Sequence, residues 1–394
     1  MHTMMNDPLD LPCGVQLKNR LFKAAMSDSL GDGAGNPTQA QMRLYERWAE
    51  GGAALSLIGE VQVSPHYPEK PGNLVLGPLS DLAGLQHLAQ RGSRNGAQIW
   101  PQLGHAGALA HAPISTPKGP SALNVEGLRC GGMALSEIQA LPTAYTQAAL
   151  CAKSAGFGGV QIHAGHGFLL SQFLSPLFNH RCDAYGGTVA VRFRIIRDVI
   201  AAVRDAVGPS YPIGIKINAT DRLDGGLTTV DALEVVKMLD QTSVDLIDVS
   251  GGTYFPGAVS SSDGTRASGP YFTDFAHLAK RATTVPVMVT GGFMEREQAA
   301  AALQNADADA VGIARALALS PELPNAWLNG DACMLARPTF DTPPPGGMTA
   351  WYSMRLTALG QDAEEQFDLT PAQALQAYEA RDAARVATWR HQFD

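Results

Sequence analysis

In the run GGVQIHAGHGFLLSQFLSPLFNHRCDAYGG, residues 158–187, two histidines, His163 and His166, stand where an apolar stretch gives way to loop. Val160, Gln161 and Ile162 read as a short buried strand, so both imidazoles leave it at its C-terminal end, beside Gly165 and Gly167. Parallel α/β barrels keep their reacting groups at that end of the strands. Two neutral imidazoles there can each point a ring N–H at one carbonyl oxygen and polarise it without giving up a proton. The spacing therefore predicts an electrophilic clamp with His163 and His166 as its catalytic pair. A single histidine at a strand end is usually an ordinary hydrogen-bonded residue of the fold. The weight rests on the residues around the pair.

Those residues are His163, His166, Gly167, Leu169, Phe173, Leu174, Pro176, Asn179, Arg181, Asp183, Tyr185, Gly186 and Gly187. They follow a pattern of His-x-x-His/Asn-Gly-Tyr-Leu, then Phe-Leu-x-Pro, then Asn-x-Arg-x-Asp-x-Tyr-Gly-Gly. In this the chain resembles the old yellow enzyme family of FMN-dependent oxidoreductases. The resemblance implies non-covalently bound FMN, NADH or NADPH as hydride donor, and an activated alkene of the enone type as hydride acceptor. In the family's cycle the histidine pair holds the enone oxygen while a tyrosine protonates carbon. Phe168 stands in that tyrosine's place, and a phenyl ring has no ionisable proton. Tyr254 offers a hydroxyl after the sixth strand, although a loop tyrosine is expected to pack on the rim.

A flavin needs donors and acceptors along its pyrimidine, a cation near N1 and a cradle for phosphate. Gln102, in Ile99-Trp100-Pro101-Gln102-Leu103, ends the third strand with an amide that both donates and accepts. Lys216 is a charge inside the apolar run Ile213–Ile217 and must have a partner; the resemblance sets it against flavin N1. Gly291 and Gly292 follow the seventh strand, and Ala314 and Arg315 end the eighth. Barrels commonly bind phosphate with those two loops, and Arg315 adds charge-assisted hydrogen bonds. By resemblance Ala24, Ala25, Met26 and Ser27 lie along the flavin, the Ser27 hydroxyl donating to O4. Glu60 takes the next flavin edge, its backbone N–H making the contact and its carboxylate turned toward substrate. His105 is expected in the pocket wall.

The elements that must hold these groups recur regularly. Apolar runs at Phe22–Met26, Leu55–Gly59, Gln98–Leu103, Gly159–His163, Ile213–Ile217, Asp245–Val249, Val285–Thr290 and Ala310–Ala314 alternate with helical pattern. Eight strands alternating with helices predict a (β/α)8 TIM barrel. Ile195, Ile196, Val199, Ile200 and Val203 give a helix over Val191–Val203 one apolar stripe. Residues 106–135 make a long loop after strand 3, and loops of that length are generally functional or disordered. Residues 1–330 are read as the FMN barrel, and residues 331–394 as a helical extension packing on the barrel or on a neighbouring subunit of a homo-oligomer. Thr370-Pro371 with Gln373 opens its last helix as a capping box.

Composition sets outer bounds. The net charge of −8, with no run of Lys or Arg, argues against nucleic acid and anionic membrane as partners and leaves a small-molecule substrate. No stretch reaches the length of an apolar membrane span, and MHTMMNDPLD lacks a basic n-region, so a cytoplasmic protein is expected. Cys13, Cys130, Cys151, Cys182 and Cys333 form no Cys-x-x-Cys pair, and no metal site is expected. Other readings stay open. Asp28 and Glu60, with Trp351 and Tyr352 as aromatic faces, suit the oxidation or demethylation of a cationic N-methyl amine. A flavin-binding scaffold without activity is a third reading. An aldolase-type barrel using Lys216 as a Schiff base is a fourth, and leaves the 163–187 string unexplained.

Overall fold

Each of the eight apolar runs forms a strand in the computed structural model, which describes residues 4–258, 269–331, 335 and 338–394. They are β1 (Leu21–Ser27), β2 (Leu55–Gln62), β3 (Gln98–Gly104), β4 (Val160–Ala164), β5 (Ile213–Asn218), β6 (Leu246–Ser250), β7 (Val287–Thr290) and β8 (Ala310–Ile313). All pairs are parallel and follow chain order, with β8 returning to β1 to close the barrel. The largest departure from the expected ranges is β2, which runs on to Gln62.

Alternation along each strand sorts the side chains. One set, including Val160, Ile162, Ile215, Ile247, Val249, Val287 and Val289, packs outward against the helices. The opposite set faces the lumen: Phe22, Ala24, Leu55, Leu57, Trp100, Leu246, Met288 and Ala310 form one apolar layer, with Leu9, Leu11 and Leu17 packed on it. Further along the same strands the lumen turns polar. Among the helices, Arg194–Val207 buries Ile195, Ile196, Val199, Ile200 and Val203, as the stripe requires. It begins later than the sequence suggests, because Val189–Arg192 is a separate short turn and Val191 is exposed.

The 106–135 loop is folded, with short strands at Lys118–Gly119, Leu123–Val125 and Leu128–Gly132. Arg181 donates to the carbonyls of Pro120 and Met133 at 2.8 Å each, and Gln172 donates to Ala106 O and accepts from Ala108 N. The final helix, Pro371–Phe393, has the capping box its sequence announces. It crosses the loops after β1, β2 and β3 of its own chain: Arg385 donates to Ser29 O (2.8 Å), Trp389 to Pro65 O (3.2 Å) and Arg390 to Pro113 O (2.6 Å).

Candidate active site

The upper ends of β1 and β2 are irregular. Their register slips between Lys23 and Met26, and that of β2 with β3 slips between Ile58 and Val61. Gly59 lies so close to Met26 that any Cβ would collide with the Met26 backbone. Glu60, next along, has φ 54°, a left-handed conformation uncommon for a residue with a side chain. Bulges re-aim side chains at barrel rims. Here the result is that Glu60 Oε1 stands 2.6 Å from Nδ1 of His163. The contact lies off the direction a ring N–H would take, and among the described residues Nδ1 has no other partner. Burial pushes the Glu60 carboxyl up to about 8, against the opposing pull of Gln62 and Lys216.

From His163 a line of contacts runs across the mouth. Nε2 of His163 is 3.0 Å from Nδ1 of His166, and Nε2 of His166 is 2.9 Å from Ser250 Oγ. His166 has φ 59° and is fixed by its amide donating to Asn218 Oδ1 at 2.9 Å. Burial holds His163 down to about 3, and burial with the nearby His163 and Lys216 holds His166 well below its ordinary value. Both rings are neutral at pH 7, as a clamp that polarises without proton loss requires.

Beneath the pair lies a second polar chain. Gln102 donates to Gln161 Oε1 (2.7 Å), Gln161 to Asp248 Oδ2 (3.1 Å), Lys216 to the same oxygen (3.0 Å), and Thr290 to Asp248 Oδ1 (2.7 Å). Barrel register creates the chain, since Gln102 pairs with Gln161 and Lys216 lies between His163 and Asp248. Asp248 is thus the partner that a buried Lys216 demanded. Gly312 faces Thr290, where a Cβ would collide with Thr290 Oγ1 and Met288 Cε. After β7, Gly291 (φ 124°) and Gly292 (φ 88°) adopt conformations open to glycine, and a Cβ on Gly292 would strike the carbonyl of Gly269. Ala314 immediately precedes the turn Arg315–Leu319, and the Arg315 guanidinium lies 5.7 Å from the Tyr352 ring centroid.

On the solvent side, Phe168 sits 5.1 Å from the His163 ring and 5.8 Å from that of Tyr254, in a cluster with Ala106 and Ala110. Tyr254 is 53% exposed at the rim. His105 is a wall residue, stacked on Tyr67 at 4.6 Å with Nδ1 accepting from Gly107 N.

Three expectations need correction. Asp28 does not face substrate: it is buried, accepting from Tyr45 OH (2.9 Å), Gln41 Nε2 (3.0 Å) and Leu30 N (2.9 Å), donors that satisfy a carboxylate shut away from water. The Ser27 hydroxyl donates to Glu69 Oε2 at 3.1 Å, and Asn73 also donates to that oxygen. Burial and the neighbouring Glu60 push Glu69 up to about 7. Trp351 donates to Leu369 O and packs on Phe340 and Phe367 within the C-terminal extension, while Tyr352 lies by Arg315, so neither offers a ring to an amine beside Asp28. Gln161, Asp248, Ser250, Thr290 and Glu69 were not foreseen. A charge in Leu246-Ile-Asp-Val-Ser follows the same logic that singled out Lys216 and was the available signal for Asp248. Cys333 lies outside the described residues.

The donor set at this mouth fits a flavin nucleotide: an amide that donates and accepts, an ammonium with N–H groups beyond the one given to Asp248, and glycine backbone with a guanidinium for phosphate. Residues 5–330 match the model of the NADH:flavin oxidoreductase / NADH oxidase family. The chain belongs to that family. It is 32% identical over 352 residues to the NADH-dependent flavin oxidoreductase iliE of Hypocrea jecorina, covering 80% of this chain and 87% of that protein. An NADPH dehydrogenase of Halalkalibacterium halodurans is 32% identical over 317 residues, covering 79% of this chain and 90% of that one. The chain spans about half the length of several longer relatives. Among solved structures, morphinone reductase shares the fold with a TM-score of 0.74 at 24% identity, over 86% of this chain and 92% of the other. The family member described here is an FMN-dependent oxidoreductase with a nicotinamide hydride donor. Among the described residues no helix is long and apolar enough to cross a membrane.

Proposed function

We propose that the enzyme reduces activated alkenes of the enone type, with His163 and His166 holding the carbonyl oxygen. The carrying observation is the pair itself: two neutral imidazoles, His163 buried and His166 half-buried, with facing nitrogens 3.0 Å apart. An oxygen above the pair, taking the place of the contact between the rings, accepts from both once each facing nitrogen carries a proton, and the negative charge it gains is then met by two donors. Gln102 and Lys216 are assigned to the flavin ring, Ala24–Ser27 and the Glu60 backbone to its edge, and Gly291, Gly292, Ala314 and Arg315 to its phosphate. Bound FMN supplies the hydride chemistry between nicotinamide and substrate. Phe168 stands where the family's proton donor stands and holds no proton to give, so carbon protonation falls to water or another hydroxyl.

Stopped-flow traces of both half-reactions test this in Phe168→Tyr. The variant is expected to speed reoxidation by 2-cyclohexenone by up to about 10²-fold, the lower end of what a positioned general acid contributes. Reduction by NAD(P)H, which does not use that acid, stays unchanged. An unchanged enone rate, together with flavin reduction by N-methyl amines in the absence of nicotinamide, would replace this reading by the amine one.

A further inference from the structure

Facing nitrogens 3.0 Å apart with no atom between them share one proton, so one ring donates and the other accepts. An oxygen bound by both rings requires two protons there, on His163 Nε2 and His166 Nδ1. Taking up a ligand therefore demands a tautomer change in one ring, and the far nitrogens decide which. His166 Nε2 faces Ser250 Oγ, a hydroxyl that turns from acceptor to donor by rotating about one bond. Among the described residues His163 Nδ1 has Glu60 beside it, off the in-plane direction that its N–H and its lone pair share, so a small turn of the carboxyl completes the hydrogen bond, and the two protonation states of Glu60 then impose opposite tautomers. A carboxylate there accepts from Nδ1–H and leaves Nε2 bare toward the ligand. A carboxylic acid donates to Nδ1 and fixes the proton on Nε2.

We infer that Glu60 is a positioning residue that works as a carboxylic acid, donating to His163 Nδ1 and so turning the Nε2–H of His163 toward the substrate oxygen, with Ser250 as the adaptable end of the same line. The register slip between Ile58 and Val61 and the left-handed backbone of Glu60 occur where a strand-2 side chain meets a strand-4 histidine. Burial favours the neutral acid, and Glu69 on the following loop is itself raised by burial and by the Glu60 carboxylate. The opposing charge is Lys216 on β5, which Asp248 on β6 largely answers. Tyr145, on the helix Leu135–Ser154, also feels the Glu60 charge and is itself held protonated by burial. His163 and His166, neutral, add no charge to the set.

The inference rests on the clamp reading, and the test separates the two. The oxidised holoenzyme is titrated with 2,4-dinitrophenol, a phenolate across the whole range, from pH 6 to 10 by flavin absorbance. Histidine ring tautomers are read in parallel from 15N shifts of selectively labelled protein, a signal independent of turnover. In the wild type, affinity should fall about tenfold per pH unit once Glu60 ionises, because one proton is lost from the binding-competent form. Glu60→Gln, whose amide donates to Nδ1 at every pH, should bind with a flat profile. Glu60→Leu should bind more weakly throughout. At pH 7 the wild-type 15N spectrum should show His163 protonated on Nε2. A Glu60→Gln profile that bends with the wild type, or a His163 proton on Nδ1 at pH 7, overturns the role of Glu60 and leaves the clamp standing. Equal phenolate affinity in a His163→Ala, His166→Ala variant overturns both.

Discussion

The lumen of the barrel holds two layers that are equally buried and chemically opposite. Each is one two-residue step from the other along the same strands: Trp100 and Gln102 on β3, Leu246 and Asp248 on β6, Met288 and Thr290 on β7. A step of about 7 Å carries the chain from apolar to polar surroundings, since alternate residues of a strand share a face. The lower layer removes hydrocarbon from water and asks for nothing but fit. The upper layer hides an ammonium, a carboxylate and several amides, each of which must be given a partner or cost stability. Desolvation makes such an ion pair a weak source of stability, so its presence accords with the proposed contact of Lys216 with FMN better than with a role in holding the fold.

The sharpest way to break this contrast is to remove one charge and then both. Asp248→Ala strands Lys216 in the lumen and should lower unfolding free energy by about 3–5 kcal/mol in urea titrations. Lys216→Met combined with Asp248→Leu should recover most of that loss, without restoring FMN affinity. A double variant as unstable as the single one would mean that the upper layer stabilises the fold after all. The matching cut in the lower layer, Met288→Ala, should cost about 2–5 kcal/mol through lost burial and a cavity. Its dissociation constant for FMN, measured on folded protein by fluorescence, should not move.

The two layers were not equally legible in the sequence. Apolar strands announce themselves by run length and spacing, which is why each of the eight expected runs coincides with a strand. The histidine pair was visible because glycines and an apolar run set it at a strand end. What escaped depends on register and bulges, which only the closed barrel determines. Asp248 is Lys216's partner because β5 and β6 pair those two residues, and that pairing is not written in either strand alone. Ser27 and Asp28 follow the slip in β1, which takes the hydroxyl to Glu69 and the carboxylate to the helix Gln39–Glu50. The Glu60–His163 contact needs a non-glycine residue at positive φ, which no local pattern predicts. Much of the 163–187 string turns out to build rather than react. Asn179 donates to Phe173 O and Tyr185 O, and Arg181 pins the 106–135 loop.

At the phosphate end the expected effect is smaller than in the lumen. Arg315→Ala should raise the FMN dissociation constant about 10- to 150-fold, the equivalent of losing a charge-assisted contact of roughly 1.5–3 kcal/mol. Stability without FMN should change little, because the side chain is only partly buried. Retention of wild-type affinity would move the phosphate away from the β8 loop.

Acid and base titrations of stability sharpen the comparison in its finest detail, since only the upper layer contains groups that titrate. His163 is held down to about 3 in the folded protein, whereas an unfolded histidine sits near 6.5, so between those values the unfolded chain binds a proton that the folded chain refuses. Stability must fall as pH drops from about 6.5 toward 3, and His163→Asn should flatten that slope by at most about 1.4 kcal/mol per pH unit. Glu60 acts with the opposite sign. Its folded value of about 8 exceeds the ordinary 4.5, so the folded protein keeps a proton the unfolded chain has lost, and stability falls as pH rises through that window. Glu60→Gln should therefore gain on the wild type progressively from about pH 4.5 to 8, while His163→Asn gains on it only below 6.5. Met288→Ala, with no titrating group to remove, should displace the whole stability curve without changing its shape. If its curve changes shape as those of the upper-layer variants do, the two layers are coupled through packing, and the division between a stabilising floor and a reacting ceiling does not hold.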